Sequence, residues 1–115
     1  MLLCEIKKLL QAEILSERDC SNIDVQIVHA SDLISGVLAS CSQRALWITG
    51  LLDHQTINTA VLFCLTGVIF VENRRPPSSI IQAANEDEIP VMVTPLSMFE
   101  VCGLLYSKGL KSAKR

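Results

Sequence analysis

The sequence predicts an α/β fold, a three-layer α/β/α sandwich around a mostly parallel sheet of four or five strands. Two short apolar runs, residues 45–49 and 68–71, are rich in β-branched and aromatic side chains and have the length of buried strands. Between them, apolar residues recur at helical spacing from Ile57 to Leu65. A strand, a helix and a second strand in this order indicate a parallel pair, because the helix supplies the crossover that parallel strands need.

Residues at the helix ends support this assignment. Asp53 is placed to cap the central helix at its N-terminus, and Gly67 follows the last helical turn, where glycine is common. Ser97 and Glu100 have the spacing of a capping box, which predicts the start of a final helix. Gly109 is placed to end that helix.

The remaining elements follow in chain order. They are a helix over residues 4–11, a short strand over 12–15, a strand over 23–30, a short helix after Ser31, a helix over 78–87 and a strand over 90–94. From residue 45 onward, strands and helices alternate, which predicts right-handed crossovers in one sheet. In the final helix, we expect Phe99, Cys102, Gly103, Leu105 and Tyr106 to face the core.

Length and composition predict one domain over residues 1–109, followed by a basic flexible tail over residues 110–115. Only 19% of the 115 residues are charged, and the mean hydropathy is +0.39, so we expect apolar surface that a partner covers. A homodimer is the commonest arrangement of this kind, and a different protein partner is the alternative. The net charge of −2 argues against nucleic-acid binding. The absence of a membrane-spanning run or signal peptide in this sequence predicts a cytoplasmic protein.

The sequence offers little for catalysis. Its five cysteines are widely spaced and form no Cys-x-x-Cys pair, which argues against a metal site or a disulfide framework. We expect Cys64 and Cys102 to be buried as small apolar residues. Because the sequence contains neither a phosphate-binding loop nor a dinucleotide-binding glycine motif, we expect no cofactor. The two histidines, His29 and His54, are assigned to packing or surface positions, and an enzyme using His54 or Cys41 is the remaining catalytic alternative.

The best candidate site is the carboxyl edge of the predicted sheet, where α/β proteins commonly bind ligands. Residues that follow the strands there could bind a small anionic or nucleotide-like ligand; they are Thr49, Gly50, His54, Asn73, Arg74, Thr94 and Ser97. The free N–H groups at the start of the central helix would favour an anion. Local structural roles are the alternative: capping for Thr94 and Ser97, a turn for Gly50 and solvent exposure for Arg74.

Several short motifs resemble one family. They are residues 30–39, the Leu-Trp-Ile-Thr-Gly of residues 46–50, and residues 67–71, 75–77, 89–94 and 97–100. Together they resemble the DRTGG domain, which is similar to the N-terminal domain of HPr kinase/phosphorylase. One departure is that residues 51–54 replace the acidic and basic pair expected after Thr49-Gly50. The resemblance implies a regulatory or assembly module that often pairs with itself and has no established reaction of its own.

Overall fold

The computed structural model describes residues 1–40 and 44–113 as a layered α/β domain. The elements in this part of the chain are α1 (Leu3–Leu9), β1 (Glu13–Ile14), β2 (Ile27–Ala30), α2 (Ile34–Ser40), β3 (Leu46–Thr49), α3 (His54–Leu62), β4 (Gly67–Phe70), α4 (Ser78–Glu86), β5 (Val91–Val93), α5 (Met98–Ser107) and β6 (Lys111–Ser112). The predicted α/β fold is therefore confirmed.

The strands form one sheet in the order β1-β5-β4-β3-β2-β6 across the described residues. All neighbouring pairs are parallel except β1 with β5. The chain steps from β2 through β5 in one direction along the sheet, then returns through α5 to β6 at the far edge. Because right-handed crossovers in opposite directions lie on opposite faces, this reversal places α5 on the face opposite α2, α3 and α4.

Two apolar cores, one on each face of the sheet, make the predicted three layers. On one face, α2, α3 and α4 contribute Val37, Ile57, Ala60, Ile80 and Ala84, which pack with Trp47, Val68, Phe70, Val91 and Val93. On the other, α1 and α5 contribute Leu3, Ile6, Val101 and Leu105, which pack with Leu46, Ile48, Ile69 and Met92. Alternate residues of each strand face alternate cores, so the central strands are buried on both sides.

The segment predicted to be a flexible tail begins as the edge strand β6, which corrects the predicted domain boundary at residue 109. The Lys111 N–H donates to the Gln26 carbonyl at 3.1 Å, and the Ala113 N–H donates to the Val28 carbonyl at 2.9 Å. Leu110 is 7% exposed and Ala113 is 1% exposed. This short strand gives the described sheet six strands rather than four or five. Residues 114 and 115 lie outside the described part.

The predicted helix caps are largely confirmed. Asp53 accepts a hydrogen bond from the Gln55 N–H at 2.8 Å, and Ser97 and Glu100 form a reciprocal capping box. Gly109 follows α5 with a φ of +90°, a conformation that glycine adopts readily. The prediction for Gly67 is wrong, because α3 ends at Leu62 and Gly67 begins β4.

The predicted orientation of α5 is wrong for three residues. Phe99 is 87% exposed and Tyr106 is 81% exposed, and Gly103 also lies at the surface. The core contacts come instead from Val101 and Leu105, which are four residues apart and share one face of the helix. Helix α5 is apolar on several sides, so periodicity could not identify the side that faces the sheet.

Candidate functional site

Thr49 and Gly50 lie at the carboxyl end of β3, where the carboxylate of Asp32 meets them. The Gly50 N–H donates to Asp32 Oδ1 at 2.7 Å, and the Thr49 hydroxyl donates to the same oxygen at 3.2 Å. Asp32 lies between β2 and α2, so the pairing of β2 with β3 brings it to this turn. Two of the residues predicted to bind an external anion, Thr49 and Gly50, therefore already donate to a carboxylate of the chain itself.

The loops after β4 and β5 are joined by backbone hydrogen bonds. Helix α4 follows β4 on one face and α5 follows β5 on the other, an arrangement that commonly opens a ligand-binding cleft. Here the Glu72 N–H donates to the Leu96 carbonyl at 2.8 Å, and the Asn73 N–H donates to the Thr94 carbonyl at 2.8 Å. Glu72 and Asn73 both have positive φ, at 57° and 54°. These contacts join the two loops across the space between the two strand ends.

Thr94 and Ser97 have structural partners. Thr94 is fully buried, and its hydroxyl donates to the Leu10 carbonyl at 2.6 Å and accepts from the Leu96 N–H at 3.2 Å. The Ser97 hydroxyl accepts from the Glu100 N–H at 3.2 Å as part of the α5 cap. Ser97 is therefore the N-cap of α5, as the capping alternative predicted, whereas Thr94 joins the end of β5 to the end of α1.

Arg74 is the predicted site residue with a charged group beside Gly50. A methyl group built on Gly50 would lie 3.4 Å from Arg74 Cδ and 3.6 Å from Nε. The guanidinium Nε is also 3.5 Å from Glu72 Oε1, and both side chains are more than half exposed. The fold thus gathers Thr49, Gly50 and Arg74 around Asp32, a residue outside the set of site residues predicted from the sequence.

His54 and Arg75 point to other parts of the surface. His54 Nε2 is 3.3 Å from the Ser79 hydroxyl of α4. Arg75 forms a two-pronged pair with Glu13 of β1, at 2.9 Å and 3.2 Å, and this pair lowers the pKa of the Glu13 carboxyl. The catalytic alternative named His54 or Cys41, and Cys41 lies outside the described residues.

His29 of β2 has a ring nitrogen that is buried beneath α2. Its Nε2 has no hydrogen-bond partner among the described residues, and a methyl group on Gly36 would lie 3.8 Å from it. Burial lowers the pKa of His29 below its ordinary value of 6.5. The neutral ring is therefore the form that the folded chain favours.

We expect His29 to make folding stability depend on pH. In the unfolded chain the ring gains a proton as the pH falls through 6.5, whereas the folded chain gains it only at lower pH. Stability should therefore fall between pH 7 and pH 5. Because the ring is partly exposed, the slope should stay well below the limit of about 1.4 kcal/mol per pH unit for one full proton. Urea unfolding at several pH values measures it.

The comparison uses one asparagine variant. His29→Asn should flatten the slope between pH 7 and pH 5 relative to the unchanged chain. Equal slopes in the two proteins would contradict the assignment to His29.

A cavity of about 490 Å³ lies beside α5, over the edge formed by β2 and β6. Its walls are mostly apolar; they include Val28, Ala30, Cys102, Leu105, Tyr106 and Leu110. Burial raises the pKa of the Cys102 thiol, which keeps it protonated. The exposed Phe99 and Tyr106 side chains stand on the same helix. Sequence reasoning missed this surface because it assigned both aromatic residues to the core.

No three His, Cys, Asp or Glu side chains in residues 1–40 and 44–113 are arranged to hold a metal ion. Within the same ranges, no helix is both long enough and apolar enough to cross a bilayer. The expectation that Cys64 is buried is wrong, because Cys64 follows α3 at the surface.

Comparison with known proteins assigns the chain to a family. The model of the DRTGG domain matches residues 5–107, which is most of the chain. A similar solved structure holds the CBS and DRTGG domains of the regulatory region of Clostridium perfringens pyrophosphatase, complexed with its activator diadenosine tetraphosphate. The TM-score is 0.71 at 20% identity, covering 90% of this chain and 45% of that one. No curated protein matches the sequence. The predicted resemblance is therefore confirmed, and this chain belongs to the DRTGG domain family.

Proposed function

We propose that this chain is a non-catalytic regulatory domain that acts by pairing with a second copy of itself through α5. The observation that carries the proposal is the exposed aromatic face of that helix. Phe99 is 87% exposed and Tyr106 is 81% exposed. Large aromatic side chains are enriched in interfaces and contribute much of their binding energy. The proposal includes a cytoplasmic location, which five cysteines without a disulfide framework support.

The spacing of this face suits a two-fold axis. Phe99, Cys102, Gly103 and Tyr106 recur at intervals of three and four residues, so they share one side of α5. Phe99 and Tyr106 lie at equal distances on either side of the Cys102-Gly103 pair. If two α5 helices cross antiparallel at that pair, Phe99 of each copy lies opposite Tyr106 of the other. Such a patch is self-complementary, as a symmetric dimer interface requires.

Gly103 supports a close crossing of the two helices. A methyl group built on it meets nothing within 4 Å, so the surface above the helix is open there. A residue without a side chain at the centre of a helical face allows another backbone to approach. Within a single copy, glycine in a helix interior lowers stability by about 0.5–1 kcal/mol relative to alanine. A dimer contact gives this residue a role that offsets that cost.

We expect the double variant Phe99→Ser/Tyr106→Ser to weaken self-association about 100-fold or more, because each dimer loses both aromatic side chains from both copies. Sedimentation velocity over a range of concentrations measures the dissociation constant. Leu62→Ser is the matched control, since Leu62 is 75% exposed on α3, on the opposite face of the sheet. It should leave the dissociation constant unchanged.

Gly103→Gln is a second variant, which has room in the single copy and should weaken the dimer by filling the crossing point. Dimers with unchanged affinity in both α5 variants would overturn this interface. A chain that stays monomeric at all concentrations would remove self-association and leave the alternative, an adaptor that binds a different protein.

The second candidate function is the sensing of a small anionic ligand at the strand ends. The specific observation in its favour is the exposed Arg74 guanidinium beside the Thr49-Gly50 turn. Asn73, His54, Thr94 and Ser97 complete the candidate set from the sequence. An anion at Gly50 has to displace the Asp32 carboxylate from the Gly50 N–H, so we infer that binding draws mainly on Arg74.

We expect Arg74→Ala to reduce the affinity for an anionic ligand about tenfold, because it removes the exposed guanidinium beside the Thr49-Gly50 turn. Calorimetric titration with inorganic phosphate and with diadenosine tetraphosphate measures the affinity. Arg75→Ala is the matched control, since Arg75 forms a two-pronged pair with Glu13, whereas Arg74 meets Glu72 through one longer contact of 3.5 Å. If neither compound gives a heat of binding at millimolar concentration, the ligand role is ruled out. If both variants lose affinity equally, the binding depends on the overall charge of the protein and not on Arg74.

A further inference from the structure

Cys4 and Cys20 lie on two segments that are held together at the start of α1. The Leu3 N–H donates to the Ile23 carbonyl at 2.8 Å, and the Ile23 N–H donates to the Cys20 carbonyl at 3.4 Å. Leu2 also forms an isolated antiparallel bridge with Asp24. The turn that begins at Cys20 is therefore fastened to the first turn of the helix that carries Cys4.

Both cysteines border the same apolar core. Cys20 is 5% exposed within the core between the sheet and the α1–α5 layer, and Cys4 is half-buried and packs against that core. Burial raises the pKa of the Cys20 thiol, the neighbouring Cys4 raises it further, and Lys7 lowers it. Cys4 and Lys7 are three residues apart and share one side of α1, and both act on the pKa of the Cys20 thiol.

We propose that Cys4 and Cys20 are a redox pair that joins α1 to the loop before β2 when a small-molecule disulfide oxidises them. Both are free thiols in this structure. The Cys4–Cys20 disulfide does not depend on the proposed dimer, because the dimer interface lies on α5. In the reduced chain the two segments are held by backbone hydrogen bonds and apolar contacts, and the disulfide adds a covalent link at the same junction.

The chemistry balances with oxidised glutathione as the oxidant. Cys4 is the more exposed thiol, so its thiolate attacks one glutathione sulfur, forms a mixed disulfide and releases one glutathione thiolate. Cys20 then loses its proton to water, attacks the Cys4 sulfur and releases the second glutathione. The two protein thiols lose two electrons and two protons in total, and one oxidised glutathione becomes two reduced molecules.

The test treats the full-length chain with oxidised glutathione and maps the disulfides by mass spectrometry after alkylation. Digestion with trypsin and chymotrypsin separates Cys20 from Cys41, because cleavage sites such as Leu33 and Leu38 lie between them. A linked pair of peptides containing Cys4 and Cys20 is the expected result. The closed loop should raise Tm by about 10 °C, since it restricts the unfolded chain.

Cys4→Ser should abolish both the linked peptides and the rise in Tm, whereas Cys64→Ser, at an exposed position outside this junction, should retain both. Cys4→Ser avoids the risk that a polar residue at the more buried Cys20 prevents folding. Glutathione adducts without an internal link in the unchanged chain would overturn the proposal. So would a linked pair that leaves Tm unchanged, because the link would then not hold the native junction.

Discussion

Replacing Trp47 with alanine is expected to lower the free energy of unfolding by about 3–5 kcal/mol, the range for removing a large buried aromatic side chain. Trp47 is fully buried in β3, in the core beneath α2, α3 and α4. Its indole N–H also donates to the Ser31 carbonyl at 2.9 Å, which ties the loop after β2 to the sheet. Because small domains are stable by only about 5–15 kcal/mol, this one substitution should remove much of the stability.

Urea unfolding followed by far-ultraviolet circular dichroism measures the loss, because the variant removes the single tryptophan of the chain. Trp47→Phe is the control that retains most of the apolar volume and loses the hydrogen bond to Ser31. It should be destabilised less than Trp47→Ala. One hydrogen bond contributes on the order of 1 kcal/mol. If Trp47→Ala lowered the free energy of unfolding by no more than this, the loss of packing would contribute little and the expectation would be contradicted.

Replacing Asp32 with alanine is expected to cost about 1–3 kcal/mol, because it leaves a buried N–H without its acceptor. Gly50 is buried, and its N–H donates to Asp32 Oδ1 at 2.7 Å. The Thr49 hydroxyl, which is also buried, loses the same acceptor. The local consequence should be a looser Thr49-Gly50 turn, with faster hydrogen exchange at the Gly50 amide.

Asp32→Asn separates the effect of charge from that of hydrogen bonding, since the amide retains an oxygen acceptor without the charge. In urea unfolding, Asp32→Asn should lose less stability than Asp32→Ala. Its Gly50 amide should also exchange hydrogen more slowly than in Asp32→Ala. The variant also tests the candidate anion site, because removing a negative charge beside Arg74 should strengthen phosphate binding if the ligand lies there. Unchanged Gly50 exchange in Asp32→Ala would refute the proposed role of the carboxylate.

Local patterns in the sequence were sufficient for the centre of the fold. The unit of β3, α3 and β4 was predicted because each element carries its own signal: short β-branched runs for the strands and helical spacing with Asp53 as cap for the helix. The Ser97 capping box was predicted for the same reason. These signals depend on residues within four positions of one another, so no knowledge of the tertiary structure was needed.

The candidate site was less predictable because its contacts join residues that are distant in sequence. Asp32 meets Gly50 only because β2 and β3 are neighbours, a contact that spans 18 residues. Thr94 donates to the Leu10 carbonyl across 84 residues. The positions of Thr49, Gly50 and Arg74 after predicted strands placed all three at one edge of the sheet. They could not reveal that the Gly50 N–H already donates to Asp32.

By itself, the sequence determined the α/β class, the central strand–helix–strand unit and the DRTGG resemblance, because periodicity, caps and short motifs are local properties. Only the tertiary structure decided which side of α5 faces solvent and that residues 111–112 form a strand. Helix α5 is apolar on several sides, so the sheet selects Val101 and Leu105 for the core and leaves Phe99 and Tyr106 outside. Strand β6 has no apolar alternation and exists because its backbone pairs with β2.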